Sequence, residues 1–228
     1  MKKSTNTGRR GFLGSIAAGA ATMGMMAVPN QVKAFPGMIQ EPPDDLEAWF
    51  KELKGKHKMV FDSPHPNGVL PFAWPMVFQK TNEATGTPAA ESNVVVVLRH
   101  FSIGYAFTDK MWEKYKLGEF FKVEDPMTKK PALRNIFNNP KPDDFKVPGI
   151  GPVQIGINQL QASGVKFCVC ETAILVNSAG LAASLNLSAE EIRKDWTANI
   201  LPGVKPVPSG VWAIGRAQEN GCAYCFAG

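Results

Sequence analysis

Two cysteines two residues apart, followed at once by a carboxylate, end the run Gly164-Val165-Lys166-Phe167-Cys168-Val169-Cys170-Glu171. A small-residue turn leading into a short β-branched and aromatic run reads as a buried strand. Residues two apart on a strand share a face, so Cys168 sits deep while Cys170 reaches the C-terminal rim, where open parallel sheets bind ligands. A thiolate is the form of cysteine that attacks sulfur electrophiles or ligates metal, and it needs a polar or cationic neighbour. The chain offers Arg99 and His100 directly after Val94-Val95-Val96-Val97-Leu98, and His65 in the Pro-flanked loop Ser63-Pro64-His65-Pro66-Asn67-Gly68. If the strands before these residues lie side by side, His65, His100, Cys170 and Glu171 meet at one sheet edge. The set then suits a nucleophilic thiol at Cys170 with Cys168 as a resolving or tuning thiol. It equally suits zinc or copper on His65, His100 and Cys170, since both metals take imidazole and thiolate ligands. Both cysteines also fit a purely structural role as small buried residues. Cys222 and Cys225 have the spacing of a redox or metal motif, yet residues three apart on a strand face opposite sides. Phe226 stands where a haem attachment motif requires histidine.

The elements that must position these groups follow from periodicity and punctuation. Leu46, Trp49, Phe50 and Leu53 share one face of a helix over 45–54, and a strand over 57–62 follows. Pro75 opens a helix to about 85, and the valine run is a strand over 93–100 of the kind covered on both faces. A helix is expected over 109–121, an irregular surface excursion over 124–149, and a helix over 151–163 closed by Gly164. The capping box Ser188-Ala189-Glu190-Glu191 opens a helix to about 199. Pro206 confines the strand 204–207 to a sheet edge. Ser209 caps a helix over 210–220 that Gly221 closes, and 222–226 is the last strand. Strands alternating with helices predict an α/β protein, three-layer α/β/α with a five-stranded parallel sheet.

Charge locates the chain rather than its ligand. Of the 25 Lys and Arg residues, Lys2, Lys3, Arg9, Arg10 and Lys33 lie within the first 34 residues, which hold no acid. The remainder is balanced, so the net +5 belongs to a leader and gives no electrostatic case for nucleic acid. Arg9-Arg10-Gly11-Phe12-Leu13 before a Gly/Ala-rich stretch matches a twin-arginine export signal, with cleavage expected after Ala34 and periplasmic delivery. Retention of that stretch as a membrane anchor is the alternative, and nothing later is long and apolar enough to span. Residues 35–55 then form a proline-containing lead-in and the short helix, and 56–228 form the domain.

Several short stretches in fixed order resemble the DsrE/DsrF-like (YchN-like) family of sulfur-handling proteins. They are Gly164-Val165-Lys166-Phe167-Cys168-Val169-Cys170, Leu201-Pro202-Gly203-Val204, Pro208-Ser209-Gly210-Val211 and Gln218-Glu219-Asn220-Gly221-Cys222-Ala223-Tyr224. The resemblance implies strand order 4-3-2-1-5, a trimeric or hexameric homo-oligomer, and a persulfide sulfur carried by Cys170 between a donor and an acceptor, proteins or small sulfur compounds. The leader, Cys168 and the excursion over 124–149 depart from the family pattern. A metal- or small-ligand-binding module and an oligomeric structural protein without turnover are the other readings. Assembly is expected through the aromatic-rich segment 101–121 and the excursion. Changing Arg9 and Arg10 to Lys in a fusion of residues 1–40 to a reporter should abolish export, measured as reporter in the periplasmic fraction; undiminished export would remove the twin-arginine reading.

Overall fold

The structure, a computed structural model, describes residues 44–141 and 143–228. The expected export leader, its expected cleavage site and the lead-in before residue 44 lie outside the described residues. Strands β1 (His57–Ser63), β2 (Ser92–Leu98), β5 (Val165–Cys170), β6 (Val204–Val207) and β7 (Ala223–Phe226) form one parallel sheet in the order β6-β5-β2-β1-β7. Numbered by their place in the sheet's chain order, this is 4-3-2-1-5, with the proline strand β6 at an edge.

The central strand explains the layering. Val94, Val96 and Leu98 pack on one side with Phe61, Phe167 and Val169, while Val95 and Val97 pack on the other with Val60 and Cys168. Each buried valine contributes on the order of 1.5–3 kcal/mol, so β2 is stable only with both faces covered. The first face is covered by α2 (Leu70–Ala84) and α5 (Ile157–Ala162), the second by α1 (Asp44–Lys51) and α8 (Gly210–Glu219). Helix α1 and the turn after it are tied down by ion pairs of Asp45 with Lys205, Glu47 with Arg216 and Glu52 with Lys166. Three-layer α/β/α is therefore the architecture.

Several elements differ from expectation for identifiable reasons. Helix α2 starts at Leu70 rather than Pro75, because Pro71 falls in the first turn, where a missing N–H costs nothing. The helix expected over 109–121 is two, α3 (Asp109–Tyr115) and α4 (Leu117–Phe120), broken where Lys116 turns left-handed at φ 48°. That expected over 151–163 shrinks to α5, since Gly149 and Gly151 at positive φ instead turn β3 (Lys146–Val147) back onto β4 (Gly151–Pro152). Helix α6 (Glu171–Leu185) was not anticipated. It packs closely against α7 (Ala189–Ala198).

The stretch 124–149 has no regular structure apart from β3, as expected, but it is packed and pinned rather than a loose surface excursion. Arg134 donates through Nε to Asp125 and through Nη2 to both oxygens of Asp144, each at 2.9 Å. Asn135 donates to the carbonyls of Tyr105 and Phe107 at 2.8 Å, and Ala132, Ile136, Phe137 and Phe145 join the main core. The aromatic-rich segment expected to offer contact surface is likewise consumed: Tyr105, Phe107, Trp112, Tyr115 and Phe121 are buried, and only Phe101 is exposed. Among the described residues, no helix is long and apolar enough to cross a membrane. Arg134→Ala leaves the buried Asp144 carboxylate unpaired and should cost about 3 kcal/mol in urea unfolding, with new protease cleavage confined to 124–149. Wild-type stability and cleavage would show that the ion pairs do not hold this segment.

Candidate functional site

At the C-terminal edge of the sheet, β5 runs into α6 with no intervening residue. Cys170 is both the last strand residue and the N-cap of α6, and its Sγ accepts a hydrogen bond from the Ala173 N–H at 3.2 Å. A cysteine in this position presents its sulfur to the positive end of a helix, a polarity that favours anions. The sulfur lines a cleft of about 280 Å³ shared with Arg99, His100, Asn177, Ser209 and Gly210. Val176 and Val211, 62% and 66% exposed, form its apolar rim.

Arg99 is held from behind. Its Nε and Nη2 donate to the two oxygens of Asp62 at 2.6 and 2.9 Å, a bidentate pair with the buried carboxylate that ends β1. The hydroxyl of Tyr224 on β7 donates to the same carboxylate at 2.8 Å. Hydrogen bonding to Asp62 raises the Arg99 pKa above its ordinary value, with the charges of Asp62, Tyr224 and Cys170 acting the same way. Burial, aided by the bond to Asp62, raises the Tyr224 phenol. The stem of Arg99 crosses the start of α8 so closely that a Cβ on Gly210 would lie 2.6 Å from Arg99 Cβ. Ser209 caps that helix by accepting from the Trp212 N–H at 3.2 Å.

His65 and His100 do meet here, edge to face with ring centroids 4.9 Å apart, and His100 stacks on Phe101 at 4.2 Å. Both histidines are exposed, and His100 has a left-handed backbone, φ 51°. Burial of part of its ring, then the charges of His65 and Arg99, lower the His100 pKa. Its carbonyl accepts from Asn177 Nδ2 at 3.2 Å, and the same amide donates to Ala173 O at 2.8 Å.

Not every expected residue joins them. Cys168 has no exposed surface and packs with Val95, Val97, Val207 and Ala213, where burial pushes its thiol far up. It is therefore withdrawn from the resolving role. The two cysteines do not line one open face: the chain turns into α6 at Cys170 and takes that sulfur into the cleft. Glu171 opens α6 outside the cleft lining, and burial raises its carboxyl against the opposing pull of Arg193. Among the described residues, no three His, Cys, Asp or Glu side chains gather closely enough to hold a metal ion. His65, His100 and Cys170, the candidates for zinc or copper, are accordingly not gathered into one such group. Cys222 is buried, its thiol pushed up to about 11 by that burial, while Cys225 on β7 packs against the opposite layer; all four cysteines are free.

Sequence reasoning missed Asp62, Tyr224, Asn177 and Ser209 as parts of this site. The signals were present as a carboxylate ending an apolar strand and a lone amide inside an apolar helix.

No family model and no curated protein matches the chain. A solved structure of a protein of unknown function from Methanobacterium thermoautotrophicum is similar at 15% identity and TM-score 0.38, over 75% of this chain and 98% of that one.

Gly210→Ala should push Arg99 off Asp62 and destabilise the fold by about 1–3 kcal/mol in urea. Gly215→Ala on the same helix, where a Cβ meets nothing within 4 Å, should instead stabilise by about 0.5–1 kcal/mol. Equal effects of the two changes would contradict the close packing of Arg99 on α8.

Proposed function

We propose that this protein is an exported, DsrE-like carrier that binds and passes on sulfane sulfur through Cys170. The observation that carries the reading is the placing of Cys170 Sγ at the N-terminus of α6, in an open cleft beside the Asp62-anchored guanidinium of Arg99. The resemblance of the Cys170 strand and the Ser209-Gly210-Val211 helix start to the sulfur-handling family supports the same reading.

The chemistry asks little of the protein. A Cys170 thiolate attacks a terminal sulfur of a polysulfide, forming Cys170 S–S⁻ and releasing a polysulfide shorter by one sulfur. With thiosulfate the same attack releases sulfite. Charge balances in both cases, and no outside oxidant is needed. The persulfide so formed is an anion, to which the Ala173 N–H and the positive charge of Arg99 are complementary. An acceptor thiolate then takes the outer sulfur by the reverse step. The twin-arginine pattern in residues 1–34 supports a periplasmic setting for this exchange, and homo-oligomerisation as a trimer or hexamer is part of the same proposal. The donor and acceptor are small sulfur compounds or partner proteins that reach the apolar rim of the cleft.

Incubating the mature protein with polysulfide and measuring intact mass should reveal added sulfur that is lost on treatment with dithiothreitol. Cys170→Ser should take up none, whereas Cys168→Ser should load as the wild type does. Equal loading of wild type and Cys170→Ser would refute the assignment.

A further inference from the structure

Arg99 keeps donors that its carboxylate partner does not use. A guanidinium carries five N–H groups. Nε and Nη2 give one each to Asp62, at 2.6 and 2.9 Å, and among the described residues nothing accepts from the rest. Asp62 is buried and does not line the cleft, whereas Arg99 does, so the pair is a dipole with its positive end on the cleft side. Neutralising a buried carboxylate asks only for a positive charge, which a lysine supplies. The fork fixes more than charge: with Nε and Nη2 both held, the guanidinium plane is set and Nη1 stands on the side away from Asp62.

The wall beside Arg99 has the same character. Ser209 uses its hydroxyl oxygen as an acceptor for the Trp212 N–H and, among the described residues, donates its hydrogen to nothing. Thr172 donates from its N–H and its hydroxyl to Pro208 O at 3.2 and 2.8 Å, which locks the start of α6 beside the start of α8. Cys170 lines the same cleft, and its charge acts on Arg99. No carboxylate is among the lining residues. At about 280 Å³ the cleft falls just below the usual range for ligand sites, about 300–1,000 Å³, and so suits a ligand of a few heavy atoms.

We infer that the sulfur donor of this cleft is one whose sulfane sulfur is bonded to an oxyanion group, thiosulfate being the simplest, and that Arg99 and Ser209 hold its oxygens. This rests on the reading of Cys170 as a sulfur carrier and narrows the donors named there. Oxyanion oxygens are strong acceptors for a charged N–H donor, whereas divalent sulfur is a weak one. A wall of hydrogen-bond donors therefore adds affinity for thiosulfate and little for a polysulfide. In the transfer, the Cys170 thiolate attacks the outer sulfur of thiosulfate. A new S–S bond forms as the bond from that sulfur to the SO₃ group breaks, and the electron pair leaves with sulfite. Cys170 is left as the persulfide, total charge is the same on both sides, and no oxidant takes part. The negative charge that grows on the departing sulfite is met by the guanidinium.

The test is calorimetric titration of sodium thiosulfate, in chloride buffer, into the mature chain carrying Cys170→Ser, so that binding is read without transfer. Thiosulfate should bind, and adding Arg99→Lys should weaken it at least about tenfold although the positive charge stays. Adding Ser209→Gly instead, a mild change at a helix cap, should weaken binding about threefold or more, and it decides alone if Arg99→Lys does not fold. No binding to Cys170→Ser, or unchanged affinity in both folded variants, overturns the inference. Weakening by Arg99→Lys but not by Ser209→Gly overturns the role of Ser209. The chain with its native Cys170 is then offered thiosulfate or polysulfide and its intact mass measured. Sulfur gained from polysulfide, with no thiosulfate bound, sinks this inference and leaves the carrier reading standing. Thiosulfate binding that depends on Arg99, with no sulfur gained from either donor, sinks the carrier reading and leaves the oxyanion site.

Discussion

The site depends on one covalent economy, the passage from β5 to α6 through a single residue. A strand ends where its ladder ends, and a helix needs a cap for its first N–H groups. Cys170 does both, so the Ala173 N–H meets a sulfur rather than the hydroxyl or carboxylate that usually fills a cap. With no loop between the elements, that sulfur has little freedom to swing away from the sheet edge. The buried register of β5 against β2 and β6 then fixes it relative to Arg99 and Ser209. A loop insertion after Cys170 would undo all three relations together.

The second constraint is the Asp62 carboxylate, buried at the end of β1 and paired in bidentate fashion with Arg99. A buried ion pair is weak evidence of stability, because the desolvation cost offsets much of the attraction. Its more definite effect is geometric. Arg99 is prevented from reaching into solvent and is laid across the start of α8, against a glycine that alone leaves room. Tyr224 brings β7 into the same network, so three strands and the start of α8 converge on one guanidinium. The charge thus stands in the cleft at a fixed place, and an anion bound beside Cys170 need not organise it.

Much of this was legible in sequence, and the parts that were not share a cause. The four valines of β2, the proline in β6 and the caps Ser188 and Ser209 are local signals, and they gave the layers and the sheet edge. Cys170, Arg99, His65 and His100 were legible because each follows or ends an apolar strand. Helix α6 was missed because nothing punctuates its start: its cap is the strand's own last cysteine, and no glycine, proline or serine intervenes. The packing of segment 124–149 was not legible because it comes from Arg134 reaching Asp125 and Asp144, contacts that leave no periodicity. Cys168 lies deep, as expected, and it is the shared face with Cys170 that failed, for a geometric reason. The two-residue rule holds within a strand, and Cys170 is where the strand stops.

The proposed sulfur transfer requires that Cys170 be the cysteine that carries the sulfur. Its most direct test is fragment-ion mapping of the peptide containing both Cys168 and Cys170, taken from native protein loaded with a sulfane donor and trapped by alkylation. The extra sulfur should lie on Cys170 alone, with Cys168 unmodified until the protein is unfolded. Sulfur on Cys168, or on Cys222 or Cys225 with Cys170 bare, would contradict it.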